Sequence, residues 1–295
     1  MGVDHLEAFA SEVGTTDPVV ALGSGTHADL GGTVLAGTRA VRAPAQLVEH
    51  DPQEMIVRVD VGVTVERLNK VLAASGQMVP LDPASDAQTL GGVLAVGFNG
   101  SRVLRYGLLR DFVLGLVYVS SDGELVHAGG QTVKNVTGFD LCRLMVGSLG
   151  TLGIFAQVVL KCVPIPAASQ WYVSNDSYLA LFQDLYRPAS MFWDGEQTYV
   201  LLEGDPDDVE QQAAAVGLRP GTAPTIPSGH REAVALRHAA ELSGEFLPAI
   251  GTGAVHRPGP PPARVPVQNR ALQLQIKHAF DPHGRFAPGR EAWAL

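Results

Sequence analysis

The run Gly147-Ser148-Leu149-Gly150-Thr151-Leu152-Gly153 leads directly into the apolar stretch Ile154 to Val163, which is typical of a buried strand. Glycine at this density gives poor regular structure, but it lets the backbone approach a flat ligand or another chain segment closely. Pro164 and Pro166 then end the strand. We therefore expect a close backbone contact at the start of a central strand and a domain boundary just after it.

A second glycine-rich segment lies near the N-terminus. Gly23-Ser24-Gly25-Thr26-His27-Ala28 follows an apolar run and fits the G-x-G-x-x-[GA] pattern of dinucleotide-binding turns. In a Rossmann fold this turn continues into a helix, whereas here Gly31, Gly32 and β-branched residues follow. The segment predicts a phosphate-binding loop between two strands, and a plain surface turn is the alternative.

A third cluster, Thr89-Leu90-Gly91-Gly92, is followed by Gly97. Like the others it predicts irregular backbone that lies close to a ligand or to another segment. Each cluster alone also fits a structural turn, but three of them together favour a ligand-binding role. Their spread along the chain suits an extended ligand such as a dinucleotide.

The other local patterns are those of a mixed α and β chain. Thr64 is placed as the N-cap of an amphipathic helix that ends at Gly76, and Asp122-Gly123 between apolar runs predicts a hairpin. Asp205-Pro206 predicts the start of a helix, and residues 268–280 predict a last helix. We therefore expect an α+β fold.

Composition excludes several classes of partner. The formal net charge of -9 disfavours binding to nucleic acid through a basic face. No run of 18 apolar residues is present, so no direct membrane span is expected. The two cysteines, Cys142 and Cys162, form no ligand pattern and are typical of a reducing compartment. We expect a cytoplasmic protein, or one held at the inner face of the membrane through partners.

Residues 56–164 resemble the FAD-binding domain of the vanillyl-alcohol-oxidase (PCMH) type. The resemblance rests mainly on the motifs at residues 110–115, 129–141 and 147–154. Together with the closing segment, residues 280–290, they are similar to the FAD-binding subunits of bacterial glycolate oxidases. This implies a two-lobed FAD-binding domain over residues 1–166 and a smaller α+β cap-like domain over residues 167–295, whose C-terminal segment lies near the flavin.

The resemblance also implies the cofactor and the residues that hold it. Relatives with covalent flavin have a histidine where this chain has Thr26, so we expect non-covalent FAD. The residues expected to bind FAD lie in the three glycine clusters: Leu22, Gly23, Ser24, Gly25, Thr26, His27, Thr89, Leu90, Gly91, Gly92, Gly97, Gly150, Thr151, Gly153 and Ile154.

Departures from the pattern indicate which subunit the chain resembles. The larger, catalytic subunits carry an acidic residue where this chain has Leu149, and asparagines near Val93, Gly97 and Ala287. They also carry a metal-binding His-x-His pair, which this sequence lacks. We assign no catalytic residue and no metal. The implied partners are a catalytic flavoprotein subunit and an iron-sulfur subunit of a 2-hydroxy acid oxidoreductase complex.

Two other interpretations stay open. One is a self-sufficient FAD oxidase of a small hydroxy acid or alcohol, whose base would be sought among His230, His238 and His256, with Arg285 as a cation. The other is a structural subunit that keeps the fold without flavin. The intact glycine clusters argue against the second, and the missing His-x-His pair argues against the first.

Overall fold

The structure is a computed structural model that describes residues 4–46, 48–82, 85, 87–130, 140–259 and 269–292. Residues 131–139 of the predicted FAD-domain motif lie outside the described residues. The α-helices are α1 (Asp4–Val13), α2 (Val65–Ala73), α3 (Leu90–Val96), α4 (Val103–Tyr106), α5 (Leu141–Met145), α6 (Tyr178–Asp184), α7 (Pro206–Ala215) and α8 (Arg270–Phe280). Short 3-10 helices span Leu109–Phe112 and Leu236–Glu241.

The strands follow the same chain order. They are β1 (Val19–Ala21), β2 (Arg39–Val41), β3 (Val48–Asp51), β4 (Ile56–Asp60), β5 (Gln77–Met78), β6 (Val113–Val119), β7 (Leu125–Gly129), β8 (Ile154–Lys161), β9 (Val163–Pro164), β10 (Ala168–Ser174), β11 (Ser190–Trp193), β12 (Thr198–Gly204), β13 (Arg219–Pro220), β14 (Gly229–Ala233), β15 (Leu247–Ala249) and β16 (Ala254–Pro258). Mixed helix and sheet confirm the predicted α+β class.

The chain forms two compact units. The first comprises Met1–Phe98, Leu109–Pro164 and Val265–Leu295, and the second comprises Asn99–Leu108 and Ile165–Arg264. The break after Pro164 lies close to the predicted boundary at residue 166. The C-terminal segment belongs to the first unit because Phe286 bridges Val19 of β1 and is fully buried in the core beneath it.

The first unit is built around a five-stranded antiparallel sheet in the order β3-β4-β8-β6-β7. Strands β1 and β2 form a separate, two-stranded parallel sheet. The central strand β8 is buried along most of its length, as its apolar sequence predicts. Helix α1 packs its apolar face, including Phe9 and Val13, into a core shared with Ile154 of β8. Because Val19 of β1 lies in the same core, the loop between β1 and β2 begins at a strand that is anchored in the interior.

The second unit holds a seven-stranded antiparallel sheet in the order β13-β10-β12-β11-β15-β16-β14. Helices α6 and α7 cover one face, where Leu181 and Val209 join the core formed by Val200 and Leu202 of β12. The opposite face carries a smaller apolar cluster around Phe192.

Several local predictions are confirmed. Thr64 caps α2 by accepting a hydrogen bond from the Arg67 amide, and Gly123, at φ +79°, turns the β6–β7 hairpin. Asp205 caps α7 with Pro206 in its first turn. The last helix begins at Arg270, and Gln268 of the predicted span lies outside the described residues.

The third glycine cluster was expected to be irregular, and this expectation was wrong. Leu90–Val96 is helix α3, because the Thr89 side chain caps it by accepting from the Gly92 amide and Gly97, at φ +68°, ends it. Glycine serves here to allow close packing. A Cβ on Gly91 would lie 3.0 Å from a Val61 methyl group, and one on Gly97 would lie 2.6 Å from the Cα of Gly147.

Candidate functional site

A cleft in the first unit runs beside the loop that joins β1 to β2. We call residues 22–28 the glycine loop. Helix α3, the end of β2 and the glycine-rich run of residues 147–153 supply the other walls. The lining residues are Ala21, Leu22, Gly23, Ser24, Gly25, Thr26, His27, Ala28, Arg42, Ala43, Ala45, Val61, Gly62, Thr89, Gly91, Gly92, Ala95, Val96, Leu149, Gly150, Phe155 and Arg290.

Small residues keep the cleft open. A Cβ on Gly25 would meet no protein atom within 4 Å, although the residue itself sits at φ +78°, where side chains are strained. At Gly23, by contrast, there is no room for a side chain, because a Cβ there would lie 2.2 Å from Thr89 Oγ1. Gly23 therefore lets the loop lie against the start of α3, and Gly25 is a cleft-lining residue whose Cβ position is open.

Two arginines anchor the two ends of the glycine loop. Arg42 Nη1 donates to the carbonyl of Gly23 at 2.9 Å, and Arg290 Nη2 donates to the carbonyl of Ala28 at 2.6 Å. Burial lowers the pKa of Arg290, while nearby Asp29 acts in the opposite direction. Among the described residues, Arg290 Nε has no hydrogen-bond partner although it is buried. A buried, charged donor without a protein acceptor is suited to an anionic ligand group.

Polar side chains inside the loop are held in place. Gln88, which is buried, donates from Nε2 to Thr26 Oγ1 at 2.6 Å. The His27 ring lies edge-on to Phe98 with centroids 6.3 Å apart, and burial lowers its pKa. His27 is therefore a neutral hydrogen-bonding group at neutral pH.

The backbone opposite the loop is strained at one non-glycine residue. Leu149 sits at φ +52°, and its amide donates to the carbonyl of Ala95 at 2.9 Å, at the end of α3. A left-handed leucine is disfavoured, and such strain clusters at ligand sites. The adjacent Gly150, at φ +69°, also faces the cleft.

Ten of the predicted FAD contacts line this cleft. They are Leu22, Gly23, Ser24, Gly25, Thr26, His27, Thr89, Gly91, Gly92 and Gly150. The structure thus brings all three glycine clusters to one place. Direct contact of these residues with FAD stays a prediction.

Five predicted residues are placed elsewhere. Leu90 and Ile154 are fully buried. The Thr151 hydroxyl is also buried and donates to the Ser148 carbonyl at 2.7 Å. Gly97 packs against Gly147, and a Cβ on Gly153 would lie 2.5 Å from the Tyr118 ring. These residues support the walls of the cleft without lining it.

Sequence reasoning missed the two arginines. Arg42 lies at the end of a strand with no motif around it, and Arg290 closes a segment in which only Arg285 was singled out. Arg285 is buried and donates to the carbonyls of Val13 and Ser121 at 2.9 and 3.0 Å. It fastens the C-terminal segment to the core, so its role is structural.

The cleft fits FAD. Its glycines and alanines leave room for a flat ligand, and its two arginines supply positive charge in a protein whose net charge is -9. Arg290 lines the cleft, and its Nε has no hydrogen-bond partner among the described residues, so its guanidinium is a candidate donor to a ligand anion such as a pyrophosphate. The loop also leads into no helix, so the site differs from a Rossmann turn.

Comparison with known protein families agrees with this geometry. Residues 5–129 match the family described as "FAD binding domain". Residues 5–129 are therefore similar to an FAD-binding domain. FAD is thus the cofactor of this domain, and the resemblance on which the sequence analysis relied is confirmed.

Curated relatives match about half of the chain. Glycolate oxidase subunit GlcE of Escherichia coli is 37% identical over 166 residues, which are 56% of this chain and 47% of that protein. Glycolate oxidase subunit GlcD of Bacillus subtilis is 35% identical, covering 57% of this chain and 35% of that protein. D-lactate dehydrogenase of Archaeoglobus fulgidus is 33% identical, covering 55% and 36%. The chain thus spans less than half the length of each of these relatives.

A solved structure shows a similar fold. Alkyldihydroxyacetonephosphate synthase superposes with a TM-score of 0.59 at 18% identity, over 75% of this chain and 51% of that one. At this identity the likeness concerns the fold alone. Among the helices that the structure describes, none is long and apolar enough to cross a membrane.

Proposed function

We propose that this chain is the FAD-binding subunit of a 2-hydroxy acid oxidoreductase complex similar to glycolate oxidase. The observation that carries the proposal is the cleft, in which three glycine clusters meet beside the buried, unpartnered Nε of Arg290. The relatives named above, two glycolate oxidase subunits and a D-lactate dehydrogenase, support the reaction class.

The residues of this chain would bind and orient the cofactor. Bound FAD supplies reversible two-electron chemistry that also permits single-electron steps. The glycine loop would offer backbone N–H groups to the pyrophosphate, and Arg290 would add a charged donor. We propose that the flavin is held without a covalent bond, because Thr26 stands where relatives with covalent flavin have a histidine.

We further propose the partners that the resemblance implies, a catalytic flavoprotein subunit and an iron-sulfur subunit. Leu149 replaces the acidic residue of the larger subunits, and the sequence has no His-x-His pair. These departures support a subunit that handles electrons. The complex would work in the cytoplasm or at the inner face of the membrane.

The test compares the purified chain alone with the chain co-purified with its genomic neighbours. Each sample is assayed for oxidation of glycolate and D-lactate with a dye acceptor. We expect FAD in both samples and substrate-dependent dye reduction only with the partners. A control complex that contains Gly25→Val in this chain should assemble but lose part of its FAD and of its dye reduction.

Two outcomes would contradict the proposal. Rapid dye reduction by the isolated chain would favour the self-sufficient oxidase, and the search for its base would then begin in the second unit. A chain that stays free of flavin in both samples, even after reconstitution with FAD, would favour the structural subunit.

A further inference from the structure

Gln88 is a buried glutamine that contacts the glycine loop. The residue is 2% exposed, and its Nε2 donates to Thr26 Oγ1 at 2.6 Å. Thr26 itself is exposed and lines the cleft, whereas Gln88 is absent from the residues that line it. The hydrogen bond therefore joins a side chain of the interior to a hydroxyl at the surface of the cleft.

The backbone around Gln88 is fixed on both sides. The Gln88 carbonyl accepts from the amide of Val65, the first residue of α2, at 2.9 Å. The next residue, Thr89, caps α3 and lies against Gly23. Two consecutive residues thus hold the glycine loop at two points, Thr89 at Gly23 and Gln88 at Thr26.

The direction of the hydrogen bond decides what the Thr26 hydroxyl can offer to a ligand. An amide nitrogen only donates, whereas a hydroxyl has one O–H and two lone pairs. Because Gln88 occupies a lone pair of Thr26 Oγ1, the O–H must point to a different acceptor. Among the residues that the structure describes, the other hydrogen-bonding neighbour of this hydroxyl is Ser24 Oγ at 3.5 Å. That distance exceeds the roughly 2.5–3.0 Å of an ordinary O–H···O bond, so the O–H is available to a ligand.

The composition of the cleft favours an acceptor on the ligand. Its lining includes two arginines and, within the described part of the chain, no aspartate or glutamate. No carboxylate of the lining therefore competes for the Thr26 O–H. A hydroxyl that accepts one hydrogen bond and donates another is polarised by the first bond, so the Gln88 amide makes the Thr26 O–H a better donor.

We propose that Gln88 is a positioning residue of the FAD site, which acts through Thr26 by turning the Thr26 O–H toward an oxygen of the cofactor. Gln88 itself need not touch FAD. This role rests on the proposed FAD site. It adds an oriented hydroxyl to the backbone N–H groups that the glycine loop would offer to FAD.

The test is a double-mutant cycle on FAD affinity, measured by titration of the flavin-free protein with FAD and followed by flavin fluorescence. Gln88→Met removes the amide donor at similar volume and should weaken FAD binding about threefold to tenfold. Thr26→Val removes the hydroxyl and should weaken binding at least as much. If Gln88 acts through Thr26, Gln88→Met should have no further effect in the presence of Thr26→Val.

Gln77→Met is the matched control. Gln77 is likewise buried, and its Nε2 donates to the carbonyl of Pro52 at 2.8 Å, yet it does not line the cleft. This variant should lower the melting temperature about as much as Gln88→Met does, while its FAD affinity stays within about twofold of the unaltered protein. Thr26→Ser keeps the hydroxyl, so the effect of Gln88→Met should persist in its presence.

Gln88→Glu gives a second test that also keeps the volume of the side chain. A carboxylate accepts from the Thr26 hydroxyl instead of donating to it, and so turns the O–H away from the ligand. We expect Gln88→Glu to weaken FAD binding more when residue 26 is threonine than in the presence of Thr26→Val. This difference separates the effect on the hydroxyl from the effect of the added charge.

Circular dichroism establishes that each variant is folded. FAD affinity of a folded Gln88→Met variant equal to that of the unaltered protein would overturn the proposal. Additive losses in either cycle would overturn it too, because a purely structural role of Gln88 would lower the affinity whether or not the Thr26 hydroxyl is present. Both of these results leave the FAD site itself standing, whereas failure of the folded, unaltered chain to bind FAD would contradict that site as well.

Discussion

The guanidinium of Arg290 donates a hydrogen bond of 2.6 Å to the carbonyl of Ala28, and so joins the end of the chain to the far end of the glycine loop. The C-terminal segment is itself held by Lys277, whose Nζ donates to the carbonyls of Thr151 and Phe286 at 2.7 and 3.0 Å. The glycine loop, the glycine-rich run of residues 147–153 and the C-terminal segment are therefore linked through hydrogen bonds.

Replacing Arg290 with glutamine should weaken FAD binding about 10- to 100-fold, because it removes a buried charged donor from the cleft. The measurement is titration of the flavin-free protein with FAD, followed by flavin fluorescence. Arg58→Gln is the control, since Arg58 pairs with Glu49 at 3.8 Å on the exposed side of β4 and lines no part of the cleft. Equal affinity of the two variants would exclude a role for Arg290 in holding the cofactor.

Gly25→Val should abolish most FAD binding with little loss of fold, because Gly25 lines the cleft and a β-branched side chain in this loop would take up space beside the ligand. Gly37→Val is a close control. Gly37 also has a positive φ, +86°, and a Cβ there likewise meets no protein atom within 4 Å, yet it does not line the cleft. Both variants should lose a similar 1–3 kcal/mol of stability, roughly the cost of a strained residue. If both retain FAD to the same degree, the glycine loop is a plain turn.

The contact between Gly23 and Thr89 can be tested by a double-mutant cycle. Gly23→Ala places a Cβ 2.2 Å from Thr89 Oγ1 and should lower the free energy of unfolding by about 1–3 kcal/mol. Thr89→Ala removes that atom, so Gly23→Ala made in its presence should cost about 1 kcal/mol less. Gly130→Ala, where a Cβ meets nothing within 4 Å, serves as control. Additive effects in urea denaturation would show that the loop does not lie against Thr89.

Protonation of His256 in the unfolded chain should lower the free energy of unfolding at acid pH. Its pKa is about 4 in the folded protein and 6.5 when exposed, so the unfolded chain binds a proton first as the pH drops. This contribution is fully present above pH 6.5 and is lost as the pH falls toward 4, by roughly 2 kcal/mol after allowance for partial exposure. The difference in unfolding free energy between the unaltered protein and His256→Gln, measured at pH 7 and 4.5, gives the effect. A difference that does not change with pH would show that His256 titrates normally.

Much of the first unit could be predicted from sequence because its signals are local. The cap of α2 by Thr64, the hairpin at Gly123 and the apolar strand from Ile154 each depend on neighbouring residues. A shared ligand for the three glycine clusters was expected from their number and from the resemblance, whereas each cluster alone also fits a structural turn. Helix α3 was missed because its glycines were assigned to irregular backbone, whereas Thr89 and Gly97 cap it.

The remaining features depend on contacts between distant parts of the chain. Arg290 meets Ala28 across 262 positions, and no pattern near either residue indicates the contact. The return of the C-terminal segment to the first unit rests on the pairing of Phe286 with Val19. The pairing of Arg231 with His256 likewise depends on the register of β14 and β16, which the sequence leaves open.

The flavin content of the purified chain, measured before and after acid precipitation, tests most directly whether the cleft holds FAD without a covalent bond. We expect one FAD per chain, identified by mass spectrometry and released entirely into the supernatant. Colour that stays in the pellet would contradict non-covalent binding. A supernatant and pellet both free of FAD, after reconstitution of a folded chain, would contradict the assignment of the cleft as an FAD site.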